Sequence, residues 1–575
     1  MSDQIAIFAA MHLKLTILYF LTGLALFGQN KPYESYDFHS PLKIPLVLAA
    51  NFGELRTNHF HTGIDFKTNH RTGYNIYSID DGYVSRIKVS PWGYGKVVYI
   101  DHYNGLTSVY AHCEAFSEKI TQLVNKIQKK RENYEFDYYP AKDSLKVKKG
   151  EIIAISGNTG GSTAPHLHFE IRETESEDAL NPLLFNFDIA DTRKPRIRGI
   201  KLYSLTEEGY RIPGRSKRFN TYADGEGYKI SNNIITISSD YASSSGGIGF
   251  AFDAIDQLNG ANNICGIHRS FLIVDGDTVF TQDMTRVSFF TNRQINTHKD
   301  YEEFHDRRKH FHKSFRTPHN RLPIYRKQKN RGIIKVVPGN EYEIKYVCFD
   351  SYGNHTSLQF TLKVNTGEQP EDHPLYADQK KLYPDTPFMN IDDSHYIFFP
   401  QGLLYEPTPL VLEKHDEFLH FGDNEIPLDD YFEILLPVND DFETKSIYVE
   451  HSDHRNRTTP LAGKVEDGWI SVRSREFGSF EVKSDTTPPV ISRRNFKDNS
   501  NVSGKTLSWS ISDDQTAISE YDLYIDGVWH TLAWEPKRGS FYFSPTKELS
   551  GKKEVKIVAK DMCGNISSET YTLTF

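Results

Sequence analysis

The strongest structural signal in the sequence is GKVVYIDHYNGLTSVYAH, residues 95–112, in which two alternating apolar runs flank a Tyr-Asn-Gly segment. Asn and Gly readily adopt the positive φ angles of tight turns, so this pattern indicates a β-hairpin. A hairpin of this length constrains the chain around it to form an antiparallel sheet. It also places His112 at the end of the second strand.

The composition extends the β prediction to the whole chain. Aromatic residues make up 13% of the 575 residues, and Thr, Val and Ile recur between Asn, Asp and Gly turns, as is typical of strands. A chain of this length is too long for one core, and we expect about four domains. The net charge of −9, without a basic cluster, argues against nucleic acid as a partner.

Five segments follow from the composition and the linkers. CFDSYGNHTSLQFTLKV and AKDMCGNISSETYTLTF share a strand, an aspartate, a Gly-Asn turn and a closing strand, a weak repeat that resembles the last strands of immunoglobulin-like sandwiches. We predict a signal peptide at 1–28, a first β-domain at 38–188, an immunoglobulin-like β-domain at 191–366, a small β-domain at 367–487 and an immunoglobulin-like β-sandwich at 488–575.

One segment of the first domain has a helical rather than an alternating pattern. Ser117 is a suitable N-cap, and the apolar residues that follow are spaced as on one face of a helix, namely Ile120, Leu123, Val124 and Ile127. We therefore predict a helical insertion at about 116–146 that packs on the sheet. It either walls the cleft or simply covers apolar surface.

The amino terminus has the pattern of an export signal. Lys14 precedes an apolar stretch from Leu15 to Phe27, and polar sequence follows. This length suits a secretory signal better than a bilayer span, with Met11 as an alternative start and an uncleaved anchor as the alternative reading. We predict export to the periplasm, the cell envelope or the exterior, with no stable membrane span after cleavage.

Two histidines occupy alternate positions in the strand-like segment HLHFEIR. Residues i and i+2 of a strand share a face, so His166 and His168 stand side by side while Leu167 and Phe169 face the core. Adjacent imidazoles on one face each need a polar partner. A shared catalytic or metal-binding role supplies such a partner.

A second histidine motif, HFHTGIDF, provides the other ligands for a metal. His61 and Asp65 are four residues apart, and a turn at Gly63 brings their side chains together. Two histidines and one carboxylate form a suitable zinc set that leaves the fourth tetrahedral position open for water. We interpret His59, two residues before His61, as a bystander.

The motifs HFHTGIDF, YAH and GNTGGSTAPHLHFEIR closely resemble those of the lysostaphin-type, or LytM-like, zinc endopeptidases of bacterial peptidoglycan. The resemblance covers about residues 45–185 and implies a compact antiparallel sheet, of the duplicated hybrid motif type, with a groove across it. It implies one Zn²⁺ bound by His61, Asp65 and His168. His112 and His166 match the pair that handles the water.

The chain contains no HExxH motif, so the usual glutamate base of metalloproteases is absent. We expect His166 to act as the general base, and His112 to stabilise the oxyanion or protonate the leaving amine, although the two roles could be exchanged. Glu170 is expected either to accept a hydrogen bond from a ligand imidazole or to face solvent.

The predicted function is that of a secreted or periplasmic zinc endopeptidase acting on peptidoglycan peptide stems and cross-links. The β-domains are candidates for contacts with cell-envelope proteins. Two alternatives remain, a non-catalytic module that binds the wall or activates a hydrolase, and a surface adhesin. A second run of histidines, between His298 and His319, is expected to be a solvated loop or helix rather than another metal site.

Overall fold

The computed structural model describes residues 32–239, 241, 246–367, 379–392, 395–415, 418–438, 446–546 and 548–575. The predicted signal peptide at 1–28, including Met11, lies outside them. The α-helices of the described part are α1 (Glu118–Arg131), α2 (Ile295–His298) and α3 (Tyr301–Arg307). None of its helices is long and apolar enough to cross a membrane. The prediction of a mainly β chain is confirmed.

The strands of the first domain are β1 (Leu48–Ala50), β2 (Leu55–Arg56), β3 (His59–Phe60), β4 (Ile64–Lys67), β5 (Asn75–Tyr77), β6 (Gly82–Val89), β7 (Lys96–His102), β8 (Leu106–Ala111), β9 (Ala115–Phe116), β10 (Phe136–Tyr138), β11 (Lys146–Val147), β12 (Ile152–Ile155), β13 (His166–Glu173) and β14 (Ala179–Leu180). They build an antiparallel sheet with strand order β1-β4-β13-β8-β7-β6-β10, beside a small sheet β5-β12-β9.

The predicted hairpin is formed by β7 and β8, which pair in antiparallel fashion, and Gly105 in the turn has a φ of 84°. The alternation of β13 is also confirmed, since Leu167 and Phe169 are fully buried. Helix α1 begins after Ser117 and buries the face predicted from the sequence, with Ile120, Val124 and Ile127 in the core. This packing explains why a polar helix is stable beside the sheet.

The second block forms two β-sheets that share a core with the first domain. Its strands are β15 (Arg196–Leu205), β16 (Arg211–Asn220), β17 (Tyr222–Asp224), β18 (Gly227–Lys229), β19 (Ile234–Ile237), β20 (Ile248–Ile255), β21 (Arg269–Val274), β22 (Asp277–Asp283), β23 (Arg286–Val287), β24 (Phe311–Lys313), β25 (Tyr325–Gln328), β26 (Glu341–Phe349) and β27 (His355–Val364). One continuous cluster of buried side chains runs from Leu42 to Val364, and β14 pairs with β23. The two blocks therefore pack as one unit.

The third block has two five-stranded sheets around a core of its own. Its strands are β28 (Lys381–Leu382), β29 (Phe388–Asp392), β30 (His395–Phe399), β31 (Thr408–Pro409), β32 (Leu412–Lys414), β33 (Leu419–Phe421), β34 (Phe432–Pro437), β35 (Ile447–Ser452), β36 (Thr458–Leu461), β37 (Lys464–Glu466), β38 (Trp469–Ser474) and β39 (Gly478–Ser484).

The fourth block has two four-stranded sheets that enclose a separate core around Trp509. Its strands are β40 (Val490–Arg493), β41 (Leu507–Ser512), β42 (Ile518–Ile525), β43 (Val528–His530), β44 (Ala533–Glu535), β45 (Ser540–Phe543), β46 (Lys552–Asp561) and β47 (Ile566–Thr574). The immunoglobulin-like assignment of the second and fourth blocks stays a prediction.

The expectation that the histidine run after residue 297 is solvated is wrong for two of its members. His298 and His312 are buried, and Nε2 of His298 lies 2.9 Å from Nδ1 of His312. His298 also lies 3.1 Å from the hydroxyl of Tyr325. The many charged neighbours in the sequence suggested exposure, but the shared core of the first two blocks encloses these two rings.

Candidate metal centre

The register of three neighbouring strands brings the predicted site residues together. His168 on β13 lies opposite Asp65 on β4 and opposite Ala111 on β8. His112 directly follows Ala111, so its ring reaches the same face of the sheet. His61 lies in the turn between β3 and β4, where it faces Asp65. Antiparallel pairing thus collects residues from three distant parts of the sequence.

Three ligand atoms converge on one point. Nε2 of His61 lies 3.1 Å from Nδ1 of His168, and Oδ1 of Asp65 lies 3.2 Å from the first and 2.8 Å from the second. Around a tetrahedral zinc with bonds of about 2.0–2.1 Å, ligand atoms would stand about 3.3 Å apart. The donor set and its spacing therefore fit a zinc ion without a large rearrangement.

The remaining ring nitrogens fix the tautomers of both ligand histidines. Nδ1 of His61 lies 2.8 Å from the carbonyl oxygen of Asn51 and donates to it, which leaves a lone pair on Nε2. Nε2 of His168 lies 2.9 Å from Oε1 of Glu170 and donates to it, which leaves Nδ1 for the metal. Both arrangements are typical of metal-bound histidines.

Glu170 is fully buried, which excludes the alternative that it faces solvent. Its carboxylate accepts hydrogen bonds from Thr62 at 2.6 Å and Tyr94 at 2.5 Å, in addition to that from His168. Arg172 forms an ion pair with its other oxygen, with Nε at 2.7 Å. This network holds a negative charge behind the His168 ring and so orients it.

Burial is the largest influence on the pKa values at the centre. It lowers the pKa of His61 to about 4 and that of His112 to about 3, so both rings are neutral near pH 7. Burial also opposes the charge on His168, but hydrogen bonds to Asp65 and Glu170 outweigh it and raise the pKa of His168 to about 9. A bound metal ion would replace this proton.

The carboxylate of Asp65 remains ionised despite its burial. Burial raises its pKa, but the surrounding His61, His166 and His168 hold the pKa well below its usual value. Arg56 also donates to Oδ2 of Asp65 at 2.9 Å. An ionised carboxylate is the state that a metal ion requires of this ligand.

His112 and His166 lie beside the three ligand atoms, with ring centroids 4.7 Å apart. Nδ1 of His112 is 2.8 Å from the carbonyl oxygen of Thr159, and Nδ1 of His166 is 2.8 Å from that of Ala164. Each ring therefore donates through Nδ1 and keeps the Nε2 lone pair free for chemistry. Nε2 of His166 lies 3.5 Å from Asp65.

The glycine-rich loop, defined as residues 157–164, forms one rim of this site. It supplies both carbonyl groups that hold His112 and His166. The fourth block contacts its outer side, since Lys537 donates to the carbonyl oxygens of Asn158 and Ser162. The neighbouring Trp92 ring packs edge-on against Trp534 at 5.3 Å.

The structure brings all six predicted site residues together and leaves His59 exposed and outside the site. Several other contributing residues were not predicted. Arg172 had a detectable signal, because it lies two residues after Glu170 and shares its strand face. Tyr94 and Asn51 had none, because only the tertiary fold brings their loops to His168 and His61.

Comparison with known proteins shows what the first domain is similar to. The family model for peptidase family M23 matches residues 59–129 and 136–182. The DD-carboxypeptidase/endopeptidase Mpg of Neisseria meningitidis is 34% identical over 118 residues, which are 20% of this chain and 21% of that protein. The peptidoglycan DD-endopeptidase ShyB of Vibrio cholerae is 32% identical over 111 residues, 19% of this chain and 20% of that protein.

The predicted resemblance to the lysostaphin-type peptidases is thus confirmed for the part of the first domain that the M23 family model matches. This chain spans about a fifth of the length of these curated relatives. Among solved structures, the catalytic domain of lysostaphin from Staphylococcus simulans matches with 24% identity and a TM-score of 0.18, covering 24% of this chain and 90% of that one. The family model for a Zu5-like domain matches residues 379–485, within the third block.

Proposed function

We propose that this chain is an exported, zinc-dependent endopeptidase that hydrolyses peptide cross-links of bacterial peptidoglycan. The observation that carries the proposal is the convergence of His61 Nε2, Asp65 Oδ1 and His168 Nδ1 beside two further histidines. The substrate class is supported by the relatives, one of which is named a peptidoglycan DD-endopeptidase. We extend that substrate to this chain on the strength of the shared domain.

The residues present fit zinc rather than a harder cation, since two of the three donors are imidazole nitrogens. His61, Asp65 and His168 would hold the ion, with a net charge of about +1 at the site. When bound, zinc supplies Lewis-acid activation of a water molecule and of the scissile carbonyl group. Glu170 and Asn51 orient the two imidazoles that bind it.

The chain's own histidines carry the protons. Nε2 of His166 accepts a proton from the attacking water as the water oxygen bonds to the carbonyl carbon. His112 is neutral with a lone pair on Nε2, so it stabilises the oxyanion or protonates the leaving amine only after it has gained a proton at Nε2. The proton that His166 took from the water passes to the leaving amine, directly or through Nε2 of His112, when the C–N bond breaks. Because both Nδ1 atoms already donate to carbonyl oxygens, a second proton on either ring must lie on Nε2, facing the substrate.

The location and the partners follow from the same proposal. Peptidoglycan lies outside the cytoplasmic membrane, which agrees with the export signal predicted from the sequence. The three blocks after the first domain would contact other cell-envelope proteins. The fourth block contacts the glycine-rich loop through Lys537, so it is the block most directly able to affect access to the site.

The test is the release of peptides from purified cell-wall sacculi, measured by mass spectrometry of the soluble fragments. The zinc-loaded chain should release uncross-linked peptides, and His166→Ala should lower the rate by about 100-fold or more. Asp65→Asn should abolish both release and stoichiometric zinc binding. His59→Ala is the matched control, because this histidine is exposed two residues from a ligand, and its rate should be unchanged.

Three outcomes would contradict the proposal or a part of it. If the zinc-loaded chain binds sacculi without releasing peptides, the alternative of a non-catalytic wall-binding or hydrolase-activating module gains support. If it binds neither sacculi nor zinc but adheres to a surface ligand, the adhesin alternative is favoured. Release that persists in His166→Ala and His112→Ala together would refute the assigned proton transfer.

A further inference from the structure

A second cluster of acidic residues lies in the second block, away from the zinc centre. Asp191 belongs to the segment that enters this block, Asp256 follows β20, and Asp350 follows β26. The exposed fractions of these residues are only 8%, 1% and 3%. One carboxylate oxygen from each lies within 4.8 Å of those from the other two. We call this group the aspartate triad.

Two oxygens of the aspartate triad are buried without a hydrogen-bond partner, Oδ2 of Asp191 and Oδ1 of Asp256. Arg193 follows Asp191 closely, but its guanidinium donates instead to the carbonyl oxygens of Leu258 and Ala261 and to Gln257. Several buried negative charges with unpartnered oxygens are strongly unfavourable unless protons or a bound cation neutralise them, and only a cation also gives the unpartnered oxygens a ligand contact.

The ligand atoms of the aspartate triad indicate which cation it would bind. The converging atoms are all carboxylate oxygens, the ligands that hard cations prefer. Ca²⁺ accepts six to eight oxygens in irregular geometry, whereas Mg²⁺ requires a near-ideal octahedron and usually retains several waters. A buried site built from three separate segments therefore suits Ca²⁺ better than Mg²⁺. We propose that Asp191, Asp256 and Asp350 bind a structural Ca²⁺ ion.

A similar arrangement recurs in the fourth block, where one carboxylate oxygen from each of Asp485, Asp513 and Asp561 lies within 4.8 Å of the other two. The segments DTRKPRI and DTTPPVI begin with Asp191 and Asp485, and the DxxGN segments begin with Asp350 and Asp561. In both copies the asparagine of DxxGN bridges two of the aspartates. Because the cluster occurs at matching sequence positions in the second and fourth blocks, it is a recurring element of these two blocks.

The ion would fix the entry segment of the second block to two of its loops. Asp256 pairs through its backbone with Cys265, and the next residue, Gly266, exchanges two hydrogen bonds with the Asn51 side chain at 2.7 and 2.8 Å. The carbonyl group of Asn51 in turn orients His61. The proposed calcium site therefore lies a few contacts from a zinc ligand, although it does not depend on the proposed hydrolase activity.

The test compares the zinc-loaded full chain with its Asp256→Asn variant in calcium-depleted buffer and after addition of CaCl₂. Equilibrium dialysis should show one fewer Ca²⁺ per chain in the variant. Saturating calcium should raise the melting temperature of the wild type by about 5 °C or more, and this increment should be lost in the variant. Without calcium the variant should be at least as stable as the wild type, because it removes one of the repelling charges.

Asp253→Asn is the matched control, since this aspartate is also buried on β20 but pairs with Arg198 outside the triad. It should keep the calcium ion even if it lowers stability. If Asp256→Asn does not fold, Asp191→Asn is used in its place. Equal calcium binding by wild type and triad variants would overturn the proposal. An equal stabilisation by MgCl₂ would overturn the assignment to calcium.

Discussion

At the scale of single residues, His168 is the centre of the site because both of its ring nitrogens are used. Nδ1 faces Asp65 and the metal position, and Nε2 donates to the buried Glu170. Glu170 is itself neutralised by Arg172. The metal position therefore depends on a chain of charges, from Arg172 through Glu170 to the imidazole.

Glu170→Gln tests this chain. The substitution preserves shape but removes the charge behind His168, and we expect zinc affinity to fall by about 10- to 100-fold. Competition with a chromogenic chelator measures the affinity, and circular dichroism verifies folding. Glu173→Gln is the control, because it makes the same change on the same strand at a half-buried carboxylate that pairs with Arg286 rather than with His168. An unchanged zinc affinity in Glu170→Gln would mean that Glu170 only fills space.

The proton on His168 predicts how zinc binding depends on pH. Zinc must displace this proton, and the pKa of His168 is raised to about 9 in the metal-free protein, mainly by Asp65 and Glu170 against the effect of burial. Zinc affinity should therefore rise about tenfold per pH unit between pH 7 and 8.5. If the pKa of His168 had its ordinary value of about 6.5, zinc affinity would change little between pH 7 and 8.5. Chelator competition at four pH values separates the two cases.

The residue types of the centre could be predicted from the sequence, because HxxxD and HxH spacings have direct geometric meaning in a turn and a strand. The supporting residues could not. Tyr94 reaches Glu170 from a loop 76 positions away, and Asn51 reaches His61 through its backbone carbonyl. A backbone carbonyl carries no sequence signal, so its role is visible only in the fold.

At the scale of elements, two loops meet backbone to backbone at the rim of the site. A Cβ on Gly160 would lie 2.3 Å from the nitrogen of Gly95 and 2.4 Å from the oxygen of Gly93, and Gly160 has a φ of 74°.

The hairpin and α1 were predictable because each is encoded by a local pattern. The placement of β13 between β4 and β8 was not, since long-range pairing leaves no mark on either segment alone.

The adjacent glycines of the rim give a matched pair of variants. Gly160→Ala should lower the free energy of unfolding by about 1–3 kcal/mol and displace the carbonyl groups that hold His112 and His166. Gly161→Ala should be tolerated, because its nearest contact would be an ordinary 3.5 Å. Urea denaturation and peptide release measure the two effects. Equal behaviour of both variants would show that the rim is not held by this close approach.

At the scale of the whole molecule, the blocks differ in their independence. The linkers and composition indicated four units, but the first two share a core from Leu42 to Val364, whereas the third and fourth have separate cores. Sequence patterns show which residues are buried but not which partner covers them. The fourth block nevertheless contacts the rim of the candidate metal centre, through Lys537 on the glycine-rich loop and Trp534 on Trp92.

The contact of Lys537 with the glycine-rich loop predicts a measurable change in the loop's dynamics. Lys537→Ala removes the donor to the carbonyl oxygens of Asn158 and Ser162, so residues 157–164 should open more often. We expect their amide hydrogens to exchange about two- to tenfold faster, the effect of losing roughly one net hydrogen bond. Hydrogen exchange followed by mass spectrometry measures this. Lys552→Ala, at an exposed lysine of the same block, should leave the loop unchanged, and equal exchange in the two variants would show that the fourth block touches the rim without restraining it.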